Sequence, residues 1–354
     1  MSGAEPSDAA GGRARRRRLA VIIGAIAVVL IAVAVVVFSL ARRPGPPTAA
    51  PTTATSSASP SPTPTPRATT KPPSLPELPP GAMNILVLGS DIRGSAQQAV
   101  QSQAASGGIA DERSDMIMLI HVPADRSKVY GISIMRDNWV AIPGYANAKI
   151  NASLSLGGPP LVVATVESLL KTHIDHYVMT DFDGFKAIVD VLGGVTVDVT
   201  RPFTATFDTH HAFTPGPNKL DGQAALEFVR ERYAFPDGDF QRVRDQQTFV
   251  RSLIVQLLST GTVRDASSAI AIIAVAAPHL VVDQHFDPTT LAALAYALRG
   301  VDPASSVFFT LPTAGTGTSP DGQSIVVPDY RGIAEVSAAL ASDGLAAYAA
   351  AHHL

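Results

Sequence analysis

The chain has 354 residues, 46% hydrophobic and 16% charged, which suffices for one large hydrophobic core or two small ones. Residues 1–80 carry nine Lys/Arg and three Asp/Glu, whereas the remaining residues carry 18 and 27. An acidic domain is poorly suited to nucleic acid, which needs a basic face to displace counterions, so we expect no nucleic-acid partner. The absence of cysteine excludes disulfides, thiolate metal ligands and a cysteine nucleophile.

The N-terminal part predicts a membrane anchor. Arginines at positions 13 and 15–18 precede residues 19–41, which contain no charge. At about 1.5 Å per residue, a helix over 19–41 spans about 34 Å, enough for a bilayer core and too long for a cleaved signal peptide. Only Arg42 and Arg43 follow, so the charge difference predicts a cytoplasmic tail at 1–18, a single transmembrane helix and an extracytoplasmic domain. The alternative is a buried core helix, which rarely lacks a polar face over such a length.

Residues 44–80 contain 13 prolines, and Thr, Ser and Ala fill most of the gaps. Such a composition cannot bury enough apolar surface to fold, so it predicts a disordered, extended spacer over 42–80. The spacer either holds the following domain away from the membrane surface or is a linker with no required length. The composition leaves both possibilities open.

After residue 81, strand and helix patterns follow each other without a repeat or a Pro/Gly-rich break, which predicts one domain over 81–354. The predicted strands are 84–89, 115–122, 128–135, 195–199, 307–311 and 324–327. The predicted helices are 161–170, 182–192, 221–229, 242–258, 265–277, 288–298 and a closing helix from 330. This order predicts a mixed α/β fold, with a central mixed β-sheet flanked by helices on both faces.

Two aspartates stand at the ends of predicted strands. Asp91 directly follows the first strand and Asp115 begins the second, so they lie side by side if those strands are neighbours. Two carboxylates at adjacent strand ends suit a hard cation such as Mg²⁺, held together with substrate phosphates. The alternative is that each aspartate only caps a turn.

A second charged pair, Arg136 and Asp137, ends the third predicted strand. Ligands often bind at strand ends in α/β sheets, although a surface ion pair is the simpler explanation of these two residues. Lys149 and Asn151 could join the same rim, with a weaker signal.

The densest charged segment lies at 230–247 and contains Arg230, Glu231, Arg232, Asp239, Arg242, Arg244, Asp245, Gln246 and Gln247. Arg230 and Arg232 share a side only if their helix ends there, and the Phe-Pro-Asp-Gly sequence at 235–238 indicates that it does. Arg242 and Gln246 are four residues apart and share one helix face. A solvated basic helix face is the alternative. Arginines concentrated in an acidic domain favour an anionic ligand instead, because guanidinium groups match phosphate oxygens.

These motifs, in this order, resemble the LytR–CpsA–Psr family of bacterial envelope proteins. The matching segments are NILVLGSD (84–91), RSDMIMLIHV (113–122), SIMRD (133–137), KINAS (149–153), DHYVMTDFDGFKAIVDVLGGVTVDV (175–199), LDGQAALEFVRERY (220–233) and GDFQRVRDQQ (238–247). They cover most of 84–260, and their combination is specific. Two features depart from the family pattern: Met135 stands where a proline is usual, and the segment 92–112 is long and polar. The second suggests a different lid or acceptor preference, and neither removes a charged residue of the site.

The resemblance implies a phosphotransferase that moves a glycan polymer from an undecaprenyl-pyrophosphate carrier to peptidoglycan, with a hydrophobic tunnel for the polyprenyl chain. It also implies a possible pyrophosphatase side activity. By matching position, the implied ligands of Mg²⁺ or Mn²⁺ are Asp91 and Asp115. The implied catalytic residues are Arg136, Asp137, Arg230 and Arg232, and the implied substrate-binding residues are Arg113, Arg242 and Gln246. No general base is identified from the sequence, and Asp137 is the candidate with the least against it.

Two other functions remain to be distinguished. A non-catalytic module that holds polyprenyl phosphates would carry the same charged site. A transcription regulator is disfavoured, because the sequence shows no helix-turn-helix signal and the domain is acidic and expected outside the cytoplasm.

Overall fold

The structure is a computed structural model that describes residues 74–91, 113–259 and 263–354. The predicted cytoplasmic tail at 1–18, the predicted transmembrane helix at 19–41, most of the predicted spacer at 42–80 and the segment 92–112 lie outside these ranges. Within them, one helix, Ala152–Leu170, is long and apolar enough by length and composition to cross a membrane. Four of its residues are buried in the largest hydrophobic core, as expected for a core helix of a folded domain.

Over the described ranges the strands are short and numerous. They are β1 (Met83–Ser90), β2 (Ser114–Val122), β3 (Tyr130–Ser133), β4 (Trp139–Ala141), β5 (Asn147–Lys149), β6 (His176–Thr180), β7 (Val195–Val199), β8 (Phe203–Thr204), β9 (Ala212–Phe213), β10 (Gly216–Leu220), β11 (Val281–Val282), β12 (Val307–Thr310), β13 (Thr313–Thr318) and β14 (Ser324–Pro328). The helices are α1 (Ala152–Leu170), α2 (Phe182–Val191), α3 (Gly222–Arg230), α4 (Asp239–Ser259), α5 (Ala266–Ala276), α6 (Pro288–Ala297), α7 (Tyr330–Ala341) and α8 (Leu345–Ala351).

Six strands form the central sheet in the order β11-β6-β1-β2-β3-β12. β1 pairs antiparallel with β2 and parallel with β6, and β3 pairs antiparallel with β2 and parallel with β12. The predicted mixed sheet is therefore confirmed, and so is the pairing of the first two predicted strands that brings Asp91 and Asp115 to the same edge.

Helices cover both faces of this sheet, as predicted. Side chains alternate between the faces of a strand. Leu86 of β1 packs on one face against Val166 of α1 and Val336 of α7. Ile85 points to the opposite face and packs with Leu294 of α6. Val87, two residues further along β1, faces the same side as Ile85 and lines a cavity whose wall also includes residues of α2, α3 and α4.

Local signals in the sequence fix the ends of the helices near the site. Asp181 accepts from the Gly184 N–H at 2.7 Å and caps α2, while Asp221 accepts from the Ala224 N–H at 2.9 Å and caps α3. After α2 the chain continues through Gly193 at φ 74° and Gly194 at φ 86°. Glycine tolerates these left-handed angles, which confirms the predicted helix stop.

The structure differs from the sequence prediction in several elements. The predicted strands 195–199 and 324–327 form β7 and β14, which pair in separate two-stranded ribbons with β10 and β13 rather than in the central sheet. Strand β6 was not predicted, because its short run of His, Tyr, Val, Met and Thr lacks a clear apolar alternation. Helix α1 begins nine residues before the predicted 161–170, because it continues across a kink at Gly157 and Gly158 that precedes two prolines.

We expect Gly222→Ala to lower the free energy of unfolding by about 1–3 kcal/mol, because α2 and α3 approach closely there. An added Cβ would lie 2.5 Å from the Lys186 carbonyl oxygen and 2.8 Å from the Lys186 Cα. Gly300→Ala is the matched control, since no atom of residues 74–91, 113–259 or 263–354 lies within 4 Å of its added Cβ. Urea unfolding of both variants measures the effect, and equal losses at the two positions would contradict this packing.

Candidate active site

An apolar cavity of about 360 Å³ lies between the central sheet and helices α2, α3 and α4. Its wall contains Val87 of β1, Phe185 of α2, Leu226 of α3, and Phe249 and Leu253 of α4. The volume is typical of a small-molecule site, and the apolar wall favours a hydrocarbon ligand.

The wall changes from charged to apolar along α4. Arg242 and Gln246 line one end, and Leu253 lines the other, a separation of eleven residues or about 16 Å along the helix. At the charged end the wall contains six of the predicted site residues: Asp115, Arg136, Arg230, Arg232, Arg242 and Gln246. Side chains from four separate parts of the chain therefore converge where the cavity becomes polar.

Local backbone geometry orients these side chains toward the cavity. In the β1–β2 ladder Gly89 pairs with Met116 and Ser90 pairs with Ser114, so Asp115 is the extra residue of a bulge. A bulge redirects its side chain relative to the regular pleat. Helix α3 ends at Arg230, and the following Glu231 has extended angles of φ −64° and ψ 134°. This ending, which the sequence predicted, lets residues two apart line the same cavity.

Asp239, at the start of α4, contacts three guanidinium groups. Its carboxylate lies 3.1 Å from Arg242 Nη2, 3.3 Å from Arg136 Nε and 3.7 Å from Arg232 Nη1. Burial alone would raise the pKa of Asp239, but the three arginines outweigh it and hold the pKa below its ordinary value. Asp239 belongs to the charged segment at 230–247, but no role for it was predicted from the sequence. Its spacing of three from Arg242 was the available signal.

Arg242 is 4% exposed, and its Nε has no hydrogen-bond partner among the residues that the structure describes. Burial lowers the pKa of Arg242, and the neighbouring Arg136 and Arg232 lower it further, whereas Asp239 and Asp115 oppose this. A guanidinium group remains charged in proteins nevertheless. An unsatisfied buried donor costs about 1–3 kcal/mol, so this N–H is suited to donate to a ligand acceptor.

Arg136 lines the cavity and also contacts charged side chains beside it. It forms an ion pair with Asp115, and its Nε lies 3.9 Å from Asp137 Oδ2. Burial would lower the pKa of Arg136, but the carboxylates of Asp115, Asp239 and Asp137 outweigh it and raise the pKa. Lys149 Nζ lies 3.4 Å from Asp137 Oδ1. Asp137 and Lys149 together form a charged rim beside the cavity wall.

Asp91 and Arg113 lie just beyond the wall, where β1 ends beside the start of β2. The Arg113 N–H donates to Asp91 Oδ1 at 3.0 Å, and the Asp91 N–H donates to the Arg113 carbonyl at 3.4 Å. Among the residues that the structure describes, no group of three or more His, Cys, Asp or Glu side chains forms a metal cage. Asp91 and Asp115 lie at neighbouring strand ends, and Mg²⁺ commonly takes one or two protein carboxylates and completes its shell with water and substrate phosphate.

Arg244, Asp245 and Gln247 of the charged segment lie outside the cavity wall. Arg244 pairs with Asp237, and its Nε donates to Gln241 Oε1 at 3.1 Å. Gln247 Nε2 donates to the hydroxyls of Ser133 at 3.0 Å and Thr310 at 3.1 Å, which ties α4 to the ends of β3 and β12. The charged segment therefore separates by helix face, and only part of it forms the site.

The sequence model of the LytR_cpsA_psr family matches residues 51–342, and the chain belongs to this family. It is 28% identical over 283 residues to the cell wall biosynthesis protein LcpA of Corynebacterium glutamicum, covering 71% of this chain and 54% of LcpA. The chain thus spans about half the length of the curated relatives that it matches.

Solved structures show the same fold. The crystal structure of B. subtilis TagV has a TM-score of 0.64 and 26% identity, with 75% of this chain and 98% of TagV covered. A structure of TagT bound to LI-WTA has a TM-score of 0.57 and 23% identity, with 76% of this chain and 94% of TagT covered.

One buried carboxyl outside the cavity wall makes stability depend on pH. Asp245 is 7% exposed, and its Oδ1 accepts from Gln241 Nε2 at 2.9 Å. Within the described ranges, its Oδ2 has no hydrogen-bond partner. Burial raises the pKa of Asp245 from 3.8 to about 7. Across this window the folded protein keeps a proton that the unfolded chain releases, so this group lowers stability as pH rises.

We therefore expect Asp245→Asn to gain stability relative to the unchanged protein as pH rises from about 4 to 8, by on the order of 2–4 kcal/mol. Urea unfolding at several pH values gives the difference in unfolding free energy between the two proteins. The contributions of all other titrating groups cancel in this difference. A difference that stays constant with pH would show that Asp245 is ionised throughout.

Proposed function

We propose that this protein is a phosphotransferase that attaches a glycan polymer from an undecaprenyl-pyrophosphate carrier to peptidoglycan during cell-wall assembly. The observation that supports it best is the convergence of Arg136, Arg232 and Arg242 at one end of an apolar cavity. A polyprenyl pyrophosphate has the matching shape, with a multiply charged head and a long hydrocarbon chain. The description of LcpA as a cell wall biosynthesis protein and of TagT as bound to LI-WTA agrees with this substrate class.

The proposed reaction depends on positioning and charge neutralisation. A hydroxyl of peptidoglycan attacks the phosphorus that carries the glycan, and a new phosphodiester bond forms. The bond from that phosphorus to the bridging oxygen breaks, and polyprenyl monophosphate leaves with the bridging oxygen. Arg136, Arg232 and Arg242 stabilise the charge that develops on the leaving phosphate. We assign acceptance of the hydroxyl proton to Asp137, whose carboxylate lies at the rim between Lys149 and Arg136.

Asp91 and Asp115 would hold Mg²⁺ or Mn²⁺ together with the substrate. The cation supplies further neutralisation of the phosphate oxygens. The predicted anchor at 19–41 places the reaction at the outer face of the cytoplasmic membrane, where the lipid carrier and peptidoglycan are both present.

We expect Arg232→Ala and Arg242→Ala each to lower turnover of a lipid-linked glycan pyrophosphate by about 10²–10³, because each removes a preorganised donor. Arg244→Ala is the matched control, since Arg244 lies on the same helix but outside the cavity wall. Release of polyprenyl monophosphate measures the rate. Full turnover in both cavity variants would refute the assignment, and tight binding without release by the unchanged protein would identify a binding module instead.

Removal of divalent cations tests the carboxylate pair separately. We expect EDTA to reduce monophosphate release by about 10²-fold or more, because several kcal/mol of charge stabilisation is lost. Excess Mg²⁺ should restore the rate of the unchanged protein but not that of Asp115→Asn. Undiminished release in EDTA would contradict a metal-assisted reaction.

A further inference from the structure

Two aromatic rings remain exposed at the charged end of the cavity. Phe207 is 40% exposed and belongs to the cavity wall, and Tyr233 is 61% exposed. Their centroids lie 5.4 Å apart, and their planes meet edge to face at 71°. Single exposed aromatic residues are common on proteins, but a contacting pair beside a ligand cavity is a candidate binding surface.

A buried carboxylate holds both rings in place. Glu231 is 1% exposed and accepts backbone N–H donors from Thr206 at 2.6 Å, Tyr233 at 2.7 Å, Arg232 at 2.8 Å and Ala234 at 3.0 Å. One side chain therefore joins the segment that presents Phe207 to the segment that presents Tyr233.

A second buried carboxylate fixes the other end of the Phe207 segment. Glu227 is 3% exposed and accepts from the Thr209 N–H and the His211 N–H, each at 3.0 Å, and from Gln223 Nε2 at 3.0 Å. Burial would raise the pKa of Glu227 and of Glu231, but these hydrogen bonds outweigh it and lower both values. The segment that carries Phe207 is thus held at the surface by hydrogen bonds to two buried carboxylates.

Guanidinium groups flank the two rings. The Arg230 Cζ lies 4.3 Å from the centroid of Phe182 and 6.0 Å from that of Phe207, and its Nη1 pairs with Asp208 at 3.2 Å. The Arg232 Cζ lies 4.5 Å from the Tyr233 centroid. The aromatic pair therefore continues directly from the arginines that would hold the diphosphate.

A pyranose ring presents an apolar face of C–H groups and an edge of hydroxyls. Aromatic rings offer a large, rigid contact area to the apolar face, and guanidinium N–H groups can donate to the hydroxyls. We propose that Phe207 and Tyr233 form a saccharide-binding site for the first sugar of the lipid-linked glycan, the one bonded to the diphosphate. This inference rests on the proposed function, because it takes the diphosphate to lie at the arginines.

The test compares two ligands that differ by one sugar. Affinities of the full chain in detergent are measured for geranylgeranyl pyrophosphate with and without a single N-acetylglucosamine. We expect the unchanged protein to bind the sugar-bearing ligand about tenfold more tightly. Phe207→Ala combined with Tyr233→Ala should abolish this preference, so that the variant binds the two ligands with equal affinity.

Conservative variants separate ring contact from other effects. Phe207→Tyr and Tyr233→Phe keep both rings and should keep the preference, although the second removes the hydroxyl that Arg232 contacts. Tyr330→Ala, which removes a ring that is 60% exposed on α7, should change neither affinity. A thermal melt of each variant confirms folding.

The outcomes are distinct. Equal affinities of the unchanged protein for the two ligands, a preference that survives the double substitution, or equal loss of both affinities in that variant would each overturn the saccharide site. Weakened binding of a soluble peptidoglycan disaccharide alone would assign the rings to the acceptor and overturn the donor assignment. Failure of the unchanged protein to bind bare geranylgeranyl pyrophosphate would instead refute the proposed function.

Discussion

Three guanidinium groups held around the single carboxylate of Asp239 are the interaction on which the site depends. Arg136, Arg232 and Arg242 repel one another, and their proximity is tolerated because Asp239 contacts all three and Asp115 pairs with Arg136. In the part of the chain that the structure describes, the arrangement leaves the buried Arg242 Nε without a hydrogen-bond partner. A site of this kind attracts a ligand with several negative charges, which adds the acceptors that the protein does not supply.

The fold makes this arrangement possible by placing the ends of distant elements next to each other. The bulge in β2, the end of β3, the end of α3 and the first turn of α4 meet at one edge of the sheet. The same helices continue along the sheet with apolar side chains, so the charged group opens directly into a hydrocarbon-lined cavity. Glu227 and Glu231 carry negative charge as well, yet they accept hydrogen bonds that shape the surface around Arg230 and Arg232. The charged head, the hydrocarbon tail and an adjoining polar group of one ligand would each contact a different part of this structure.

Much of the framework could be predicted from the sequence because its signals are local. Short apolar runs bounded by turn residues indicated β1, β2 and β3, and caps and glycines bounded α2 and α3. The end of α3 after Arg230 could also be predicted from local sequence. The role of Asp239 could not, because two of its partners come from other elements and Arg136 is more than 100 residues away. Glu231 looked like part of a charged surface run, and only tertiary packing reveals that it is buried. Arg244 and Asp245 belonged to the same segment, but the rotation of α4 turns them away from the cavity.

A crystal structure of the protein with a short-chain polyprenyl pyrophosphate tests the central claim most directly. We predict that both phosphates lie within hydrogen-bonding distance of Arg136, Arg232 and Arg242, including the Nε of Arg242, and that the isoprenoid chain lies beside Phe249. Phosphates bound on another surface while the hydrocarbon chain stays outside the cavity would contradict it. The arginines would then serve only to hold the fold together.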